Sequence, residues 1–247
     1  MLSILHDDAD LLVVNKPAGL VCHPTRDGEL SSLVGRARLH LGHREGRLVN
    51  RLDRETGGVV LIAKNATVAR EIGGLFAASG VIKTYWAIVH GHVGPDDLVV
   101  DAPIGKDDRS IVAIKDAVRE DGAAARTSAR VRSRFLRGDR PFTWLEVTPH
   151  TGRKHQIRIH LAHAGHPLVG DKIYGGDETR YLRFIDRTLT PDDEAALLVA
   201  HHLLHAHTLS FRWRERARHF DAPADETFGS WLAQSPNSPA MLFSCRL

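Results

Sequence analysis

Hydrophobic residues fall along this chain in two rhythms, and each rhythm marks a kind of element. Continuous or alternating apolar runs predict strands at LLVVNK (11–16), VVLIA (59–63), TYWAIVHGHV (84–93), FTWLEVTP (142–149) and LHAHTLSF (204–211), the last strand of the chain. Pro17 stops the first of these and Gly19 turns the chain after it. ARTSARVRSRF (125–135) alternates, which sets Arg130, Arg132 and Arg134 on one face and Ala129, Val131 and Phe135 on the other. Apolar residues recurring at threes and fours predict helices instead. SSLVGRARLHLGH (31–43) has Ser31 or Ser32 as its cap and Gly42 as its stop, and NATVAREIGGLFAASG (65–80) is ended by Gly80. TGRKHQIRIHLAHAG (151–165) reads as a third helix capped by Thr151, and PDDEA (191–195) as a loop or a short helix start.

Strands thus come both singly with helices and in consecutive runs. Strict βαβα alternation is absent, which argues against a doubly wound parallel sheet. The α+β class fits better: a mixed, mainly antiparallel sheet with flanking helices. No linker or repeat divides the pattern, so residues 1–232 are expected to form a single domain, followed by a loose tail at 233–247.

Composition narrows the class. With 247 residues and 43% hydrophobic content the chain can bury a full core, and its average charge content argues against disorder. Asp7, Asp8 and Asp10 interrupt the first apolar stretch, which excludes a simple secretory signal, and no run approaches the length of a membrane span. Cys22 and Cys245 are far apart, so free thiols and a cytoplasmic location are expected. The net charge is only +3, but 26 of the 33 basic residues are arginine. The planar guanidinium suits phosphate and base stacking, although genome composition produces the same bias.

Two stretches concentrate candidate chemistry. NRLDRETGG (50–58) packs four charged side chains into five positions directly before the VVLIA strand, with Arg51 and Arg54 on either side of Asp53. A solvated turn has the same composition. As a site, the neighbouring guanidinium groups favour the ionised carboxylate, which suits a nucleophile or a base and not a general acid. The other stretch is TGRKHQIRIHLAHAGHPLVGDKIYG (151–175). A helix capped by Thr151 would place Arg153, Lys154, His155 and Gln156 in its first turn, where backbone N–H groups and cations together suit an anion, and Arg158 one turn beyond. A solvated amphipathic helix is the plain alternative. Two histidine clusters, at 155–166 and 201–207, raise a metal hydrolase, but no H-E-x-x-H helix is present and core or RNA-facing histidines are expected instead. The G-x-S-x-G elbow and the phosphate-binding G-x-x-x-x-G-K-[ST] loop are both missing.

Five stretches in register, NKPAGLVCHP (15–24), NRLDRETGGVVLIAKN (50–65), KTYWAIVHG (83–91), residues 151–175 and LLHAHTLSF (203–211), resemble the RluA-type RNA pseudouridine synthases. The resemblance covers about residues 4–225. It implies a mixed antiparallel sheet in two halves around an RNA-binding cleft, without a separate N-terminal RNA-binding domain. It also implies isomerisation of uridine to pseudouridine in tRNA or rRNA without metal or cofactor, by a monomer. By motif position Asp53 is then the catalytic aspartate, Tyr85 of K-x-Y the tyrosine near the target base, and Arg158 of H-Q-I-R the arginine paired with the aspartate. Arg51, Arg54, Arg153, Lys154, His155 and Gln156 face the RNA. Tyr85 is further expected to accept or relay the C5 proton. Asn50 departs from the family's usual histidine and cannot titrate, and Gly58 is expected to loosen the turn after the aspartate. An RNA-binding module without turnover would share the basic surface.

Overall fold

The computed structural model describes residues 2–25 and 28–233, so the expected tail at 233–247 lies, apart from Ala233, outside the described residues. In chain order the first half holds β1 (Ser3–Asp7), β2 (Leu11–Lys16), α1 (Leu33–Leu41), β3 (Arg47–Leu48), β4 (Gly57–Ala63), α2 (Ala66–Ala77), β5 (Val81–His90) and β6 (Asp97–Asp101). Then follow β7 (Ile104–Lys106), β8 (Asp116–Val118), β9 (Arg126–Arg137), β10 (Arg140–Pro149) and α3 (Gln156–His163). The last elements are α4 (Thr179–Asp186), α5 (Pro191–Leu197), β11 (Leu204–Trp213), β12 (Arg216–Asp221) and α6 (Glu226–Leu232). The fold is mixed α+β with mostly antiparallel pairing, as the pattern predicts. The described residues divide into two compact units, up to 85 with 205–225 and 86–204 with 226–233, and the chain passes from one to the other within β5.

In the first unit the strand order β1-β2-β4-β11 is antiparallel except for the short parallel pairing of β11 with β4, and β12 lies beside β11. Successive side chains of a strand point to opposite faces. Leu11, Val13, Val59 and Leu61 therefore pack on one side of the sheet with Val68 and Ile72 of α2. Leu12, Val14, Val60 and Ile62 pack on the other with Leu33 and Ala37 of α1. Burial on both faces is why LLVV and VVLIA are continuous apolar runs. Ser32 caps α1 by accepting from the Gly35 N–H, Gly42 ends it in the left-handed conformation, and Asn65 caps α2 through the Val68 N–H.

In the second unit the order is β5-β10-β9-β6, and β10 and β9 pair along ten positions with one bulge beside Trp144. Trp86 meets Trp144 edge to face at 5.5 Å, and Trp231 of α6 meets Phe142 likewise at 5.0 Å. The helix at 151–165 is shorter than its sequence suggests. It begins at Gln156, because His155 is left-handed (φ 55°) and residues 154–155 form a turn. LHAHTLSF is not the last strand: β12 follows, through a turn at Arg214 and Glu215 whose positive φ values no glycine announces.

Candidate active site

The Asp53 loop is built from below by a lysine. Lys16, at the end of β2, is fully buried, and its Nζ donates to the carbonyls of Pro17 (3.0 Å), Leu20 (2.7 Å) and Arg54 (3.1 Å). Burial pulls its pKa down to about 8, although the nearby Asp53 charge opposes the shift. The Gly19 N–H also donates to the Arg54 carbonyl at 2.9 Å, and Arg54 Nε returns a bond to the Gly19 carbonyl at 3.2 Å. One residue before the aspartate, the buried Cys22 thiol donates to the Leu52 carbonyl (3.3 Å) and its sulfur accepts from the Leu52 N–H. Burial pushes that thiol's pKa up, so it serves as a structural donor rather than a thiolate. Between these two anchors Asp53 is half-buried and Arg51 and Arg54 are exposed.

Asn50 and Gly58 fix the other end of the loop. On one edge of β4, Gly57 and Gly58 pair with β11, while Ile62 and Ala63 pair with β3. In the gap the Asn50 amide donates to the Val59 carbonyl (3.2 Å) and accepts from the Leu61 N–H (2.8 Å). Asn50 therefore behaves as a backbone-like rung of the ladder, which requires a donor and an acceptor and no titration. Gly58 does the opposite of loosening a turn. It sits inside β4 at φ 115°, and a Cβ there would lie 2.2 Å from the Ala206 carbonyl oxygen, so glycine allows β11 its close approach.

Tyr85 packs, partly buried, against the same apolar cluster as Leu52. Burial, and then the nearby negative charge of Asp53, hold its hydroxyl well above the usual phenol range. It is a neutral phenol at ordinary pH, which suits stacking and hydrogen bonding and disfavours the expected role as proton acceptor.

In the second unit Arg158 is buried and forks onto Asp171, Nε to Oδ2 at 2.7 Å and Nη2 to Oδ1 at 2.8 Å. Burial raises the Asp171 pKa, but the charge and hydrogen bonds of Arg158, with His202 and the Tyr174 N–H, outweigh it and leave the carboxyl far below the usual range. The Tyr174 ring lies 5.0 Å from the guanidinium, and the Tyr174 hydroxyl meets His155 Nδ1 at 2.9 Å. Neither Asp171 nor Tyr174 stands out in the sequence, where GDKIYG reads only as a turn.

The remaining basic positions separate. Thr151 is not the cap of α3, whose N-cap is His155: its hydroxyl donates to Gln156 Oε1 and accepts from the Arg126 N–H. Gln156 is buried, accepts from the Arg153 N–H as well, and donates to the Arg126 carbonyl and Thr127 Oγ1. It shapes the turn instead of facing solvent. Arg153 and Lys154 are exposed, with Arg153 on the Ala124 carbonyl and Lys154 2.8 Å from Asp116. The arginines of β9 are matched by acids, Arg126 with Asp101, Arg130 with Asp97, Arg132 with Glu146 and Arg134 with Asp96, and the bulge at Arg132 puts Arg134 on the face opposite Arg130. Four histidines of the two clusters bond to neighbouring protein groups: His160 to Thr127 and Ala102, His166 to the His90 carbonyl, His205 and His207 to the Ala222 carbonyl. Burial lowers the His205 pKa to about 4. Among the described residues no three His, Cys, Asp or Glu side chains are placed to hold a metal ion.

Comparison with known proteins places the chain in a family. A family model described as RNA pseudouridylate synthase matches residues 10–163. An uncharacterized RNA pseudouridine synthase of Aquifex aeolicus is 34% identical over 94% of this chain and 73% of its own length. The ribosomal large subunit pseudouridine synthase D of Xanthomonas campestris is 39% identical over 71% of this chain, and the chain spans only 52% of its length. Among solved structures, human RNA pseudouridylate synthase domain containing 4 superposes with a TM-score of 0.72 at 29% identity, over 94% of this chain and 92% of that one. Human domain containing 1 gives 0.72 at 25% identity, over 91% and 84%. The chain belongs to the RNA pseudouridylate synthase family.

Proposed function

We propose that the protein isomerises uridine to pseudouridine in a structured RNA, a stem-loop of tRNA or rRNA, using Asp53 as an ionised carboxylate on a nucleotide turned out of its stack. One observation carries this reading. Lys16, Cys22 and Asn50 fix the backbone on both sides of Asp53, and exposed Arg51 and Arg54 flank it. A loop that only turns the chain does not need a buried ammonium on three carbonyls.

The chemistry follows from the carboxylate. Cleavage of the glycosidic bond builds positive charge on the sugar, which an ionised carboxylate stabilises, traps, or relieves by removing a sugar proton. The detached base then turns and rejoins through C5, whose proton leaves last. Tyr85, neutral and close enough to feel the Asp53 charge, would stack on the base during this step. Arg158 is the proposed catalytic cation, and Arg51, Arg54, Arg153, Lys154 and His155 are the proposed RNA contacts. Reaching a paired or stacked uridine requires its extrusion, which favours a loop. The name of the Xanthomonas relative supports rRNA among the two candidate substrates. No helix among the described residues is long and apolar enough to cross a membrane, in keeping with the cytoplasm as the proposed location.

The test is release of tritium from cellular RNA labelled at uridine C5, together with pseudouridine mapping of tRNA and rRNA from cells with and without the gene. Asp53→Ala should abolish release while RNA affinity stays within about threefold, since the change removes no phosphate contact. Undiminished release by that variant refutes the assignment.

A further inference from the structure

The segment GDKIYG (170–175), after α3, is bounded at both ends by glycine. Gly170 stands at φ 80°, where a Cβ would lie 2.5 Å from the Val199 side chain. A Cβ on Gly175 would meet the Asp171 carbonyl oxygen at 2.3 Å. Between them Asp171 turns inward, 2% exposed. Its Oδ1 accepts from the Ile173 and Tyr174 N–H groups at 2.9 and 3.0 Å, and both its oxygens take the Arg158 fork. Two backbone amides thus fix the carboxylate, the carboxylate fixes the guanidinium plane, and the Tyr174 ring packs against that guanidinium. The two charges cancel, so this construction gives Arg158 a direction more than it gives the protein net charge. Donors aimed in advance need no rearrangement when charge develops.

We infer that Asp171 is a positioning residue for the reaction, holding the Arg158 guanidinium, with Tyr174 as its support, in the one orientation that its catalytic role uses. This rests on the assignment of Arg158 to the reaction proposed above.

Single-turnover tritium release from C5-labelled cellular RNA, with filter binding of the same RNA, tests it. Asp171→Asn keeps the shape but turns one acceptor into a donor facing the guanidinium, and Arg158→Lys keeps the charge but loses the fork. Each is expected to slow release by about 10- to 100-fold, the scale of a small misplacement of a reacting group. The double variant should be no more than about threefold slower than the slower single, because both remove one arrangement. RNA affinity should stay within about threefold for all three. A wild-type rate for Asp171→Asn, or losses that multiply in the double variant, overturns the inference. Should Asp171→Asn not fold, Tyr174 decides: Tyr174→Leu should slow release about tenfold, and Tyr174→Phe, which restores the ring, should recover most of that loss. Equal rates for Phe and Leu overturn it. Asp53→Ala run alongside separates the two levels. Turnover by that variant refutes the function itself, whereas an inactive Asp53→Ala beside a fully active Asp171→Asn refutes only the positioning role.

Discussion

Lys16 gives the site a pH dependence with two opposite signs. Its folded pKa of about 8 lies below the ordinary 10.5, so between these values the unfolded chain holds a proton that the folded chain has lost. Unfolding free energy must therefore rise with pH through that window, by at most about 3 kcal/mol, and the contribution is smallest below pH 8. Turnover should move the other way, since a neutral amine has one N–H too few for the carbonyls of Pro17, Leu20 and Arg54. Denaturant unfolding of wild type and Lys16→Met at pH 7, 9 and 10.5 should show the wild type gaining on the variant, while wild-type release rates fall above pH 8. A constant stability difference across that range would contradict the burial argument. Asn50 and Gly58 belong to the same scale. Asn50→Ala strands the Val59 carbonyl and the Leu61 N–H and should cost about 1–3 kcal/mol by denaturant unfolding. The sequence shows Asn50 as a departure from a motif, and only the registers of β3, β4 and β11 show the gap that its amide fills.

At the scale of elements, strands and helices with a clear period were legible, and their ends were not. Ser32, Gly42 and Asn65 act as the caps and stops that their residue types suggest. The start of α3 was misplaced because a cap is read from Thr151, whereas the left-handed His155 and the inward Gln156 set it through contacts with β9. β12 was hidden because its turn uses Arg214 and Glu215 where glycine or asparagine would announce it. Alternation alone sets Arg130, Arg132 and Arg134 on one face, but the bulge at Arg132 breaks it: Arg130 opposes Glu146 and Arg134 opposes Thr143, which point to opposite faces of β10. The acids matched to these arginines lie off in sequence, at Asp97, Glu146 and Asp96. That matching separates two kinds of arginine. Arg130→Ala removes a charge already opposed by Asp97 and should change RNA affinity less than about twofold. Arg51→Ala should weaken binding several-fold and reduce the slope of log affinity against log salt by about 1. Filter binding at several salt concentrations distinguishes these outcomes.

For the whole molecule, both units are discontinuous in sequence, and this governs where stability resides. The second unit draws in α6 from beyond β12, and its contribution is aromatic. Trp231 is 2% exposed, meets Phe142 edge to face and lies under the Arg137 guanidinium at 4.2 Å, while Phe228 of the same helix lies 6.3 Å from Trp86. No local signal in ETFGSWL marks it as a core helix, since what makes it one are partners on β5, β9 and β10, far earlier in the chain. Five short motifs in register disclosed the family, because the loops bearing the proposed chemistry are local in sequence. Their supports are less plain: Lys16 reaches the Asp53 loop from 38 positions before Arg54, and Asp171, though only 13 residues past Arg158, sits in a stretch whose residue types signal only a turn. Trp231→Ala removes a large ring from a closed core and should destabilise the protein by about 3–5 kcal/mol in denaturant unfolding. Trp231→Phe, which retains the edge-to-face contact, should lose less than half of that. If α6 were only a surface appendage, both variants would unfold with the wild type, and the division of the chain into these two units would have to be redrawn.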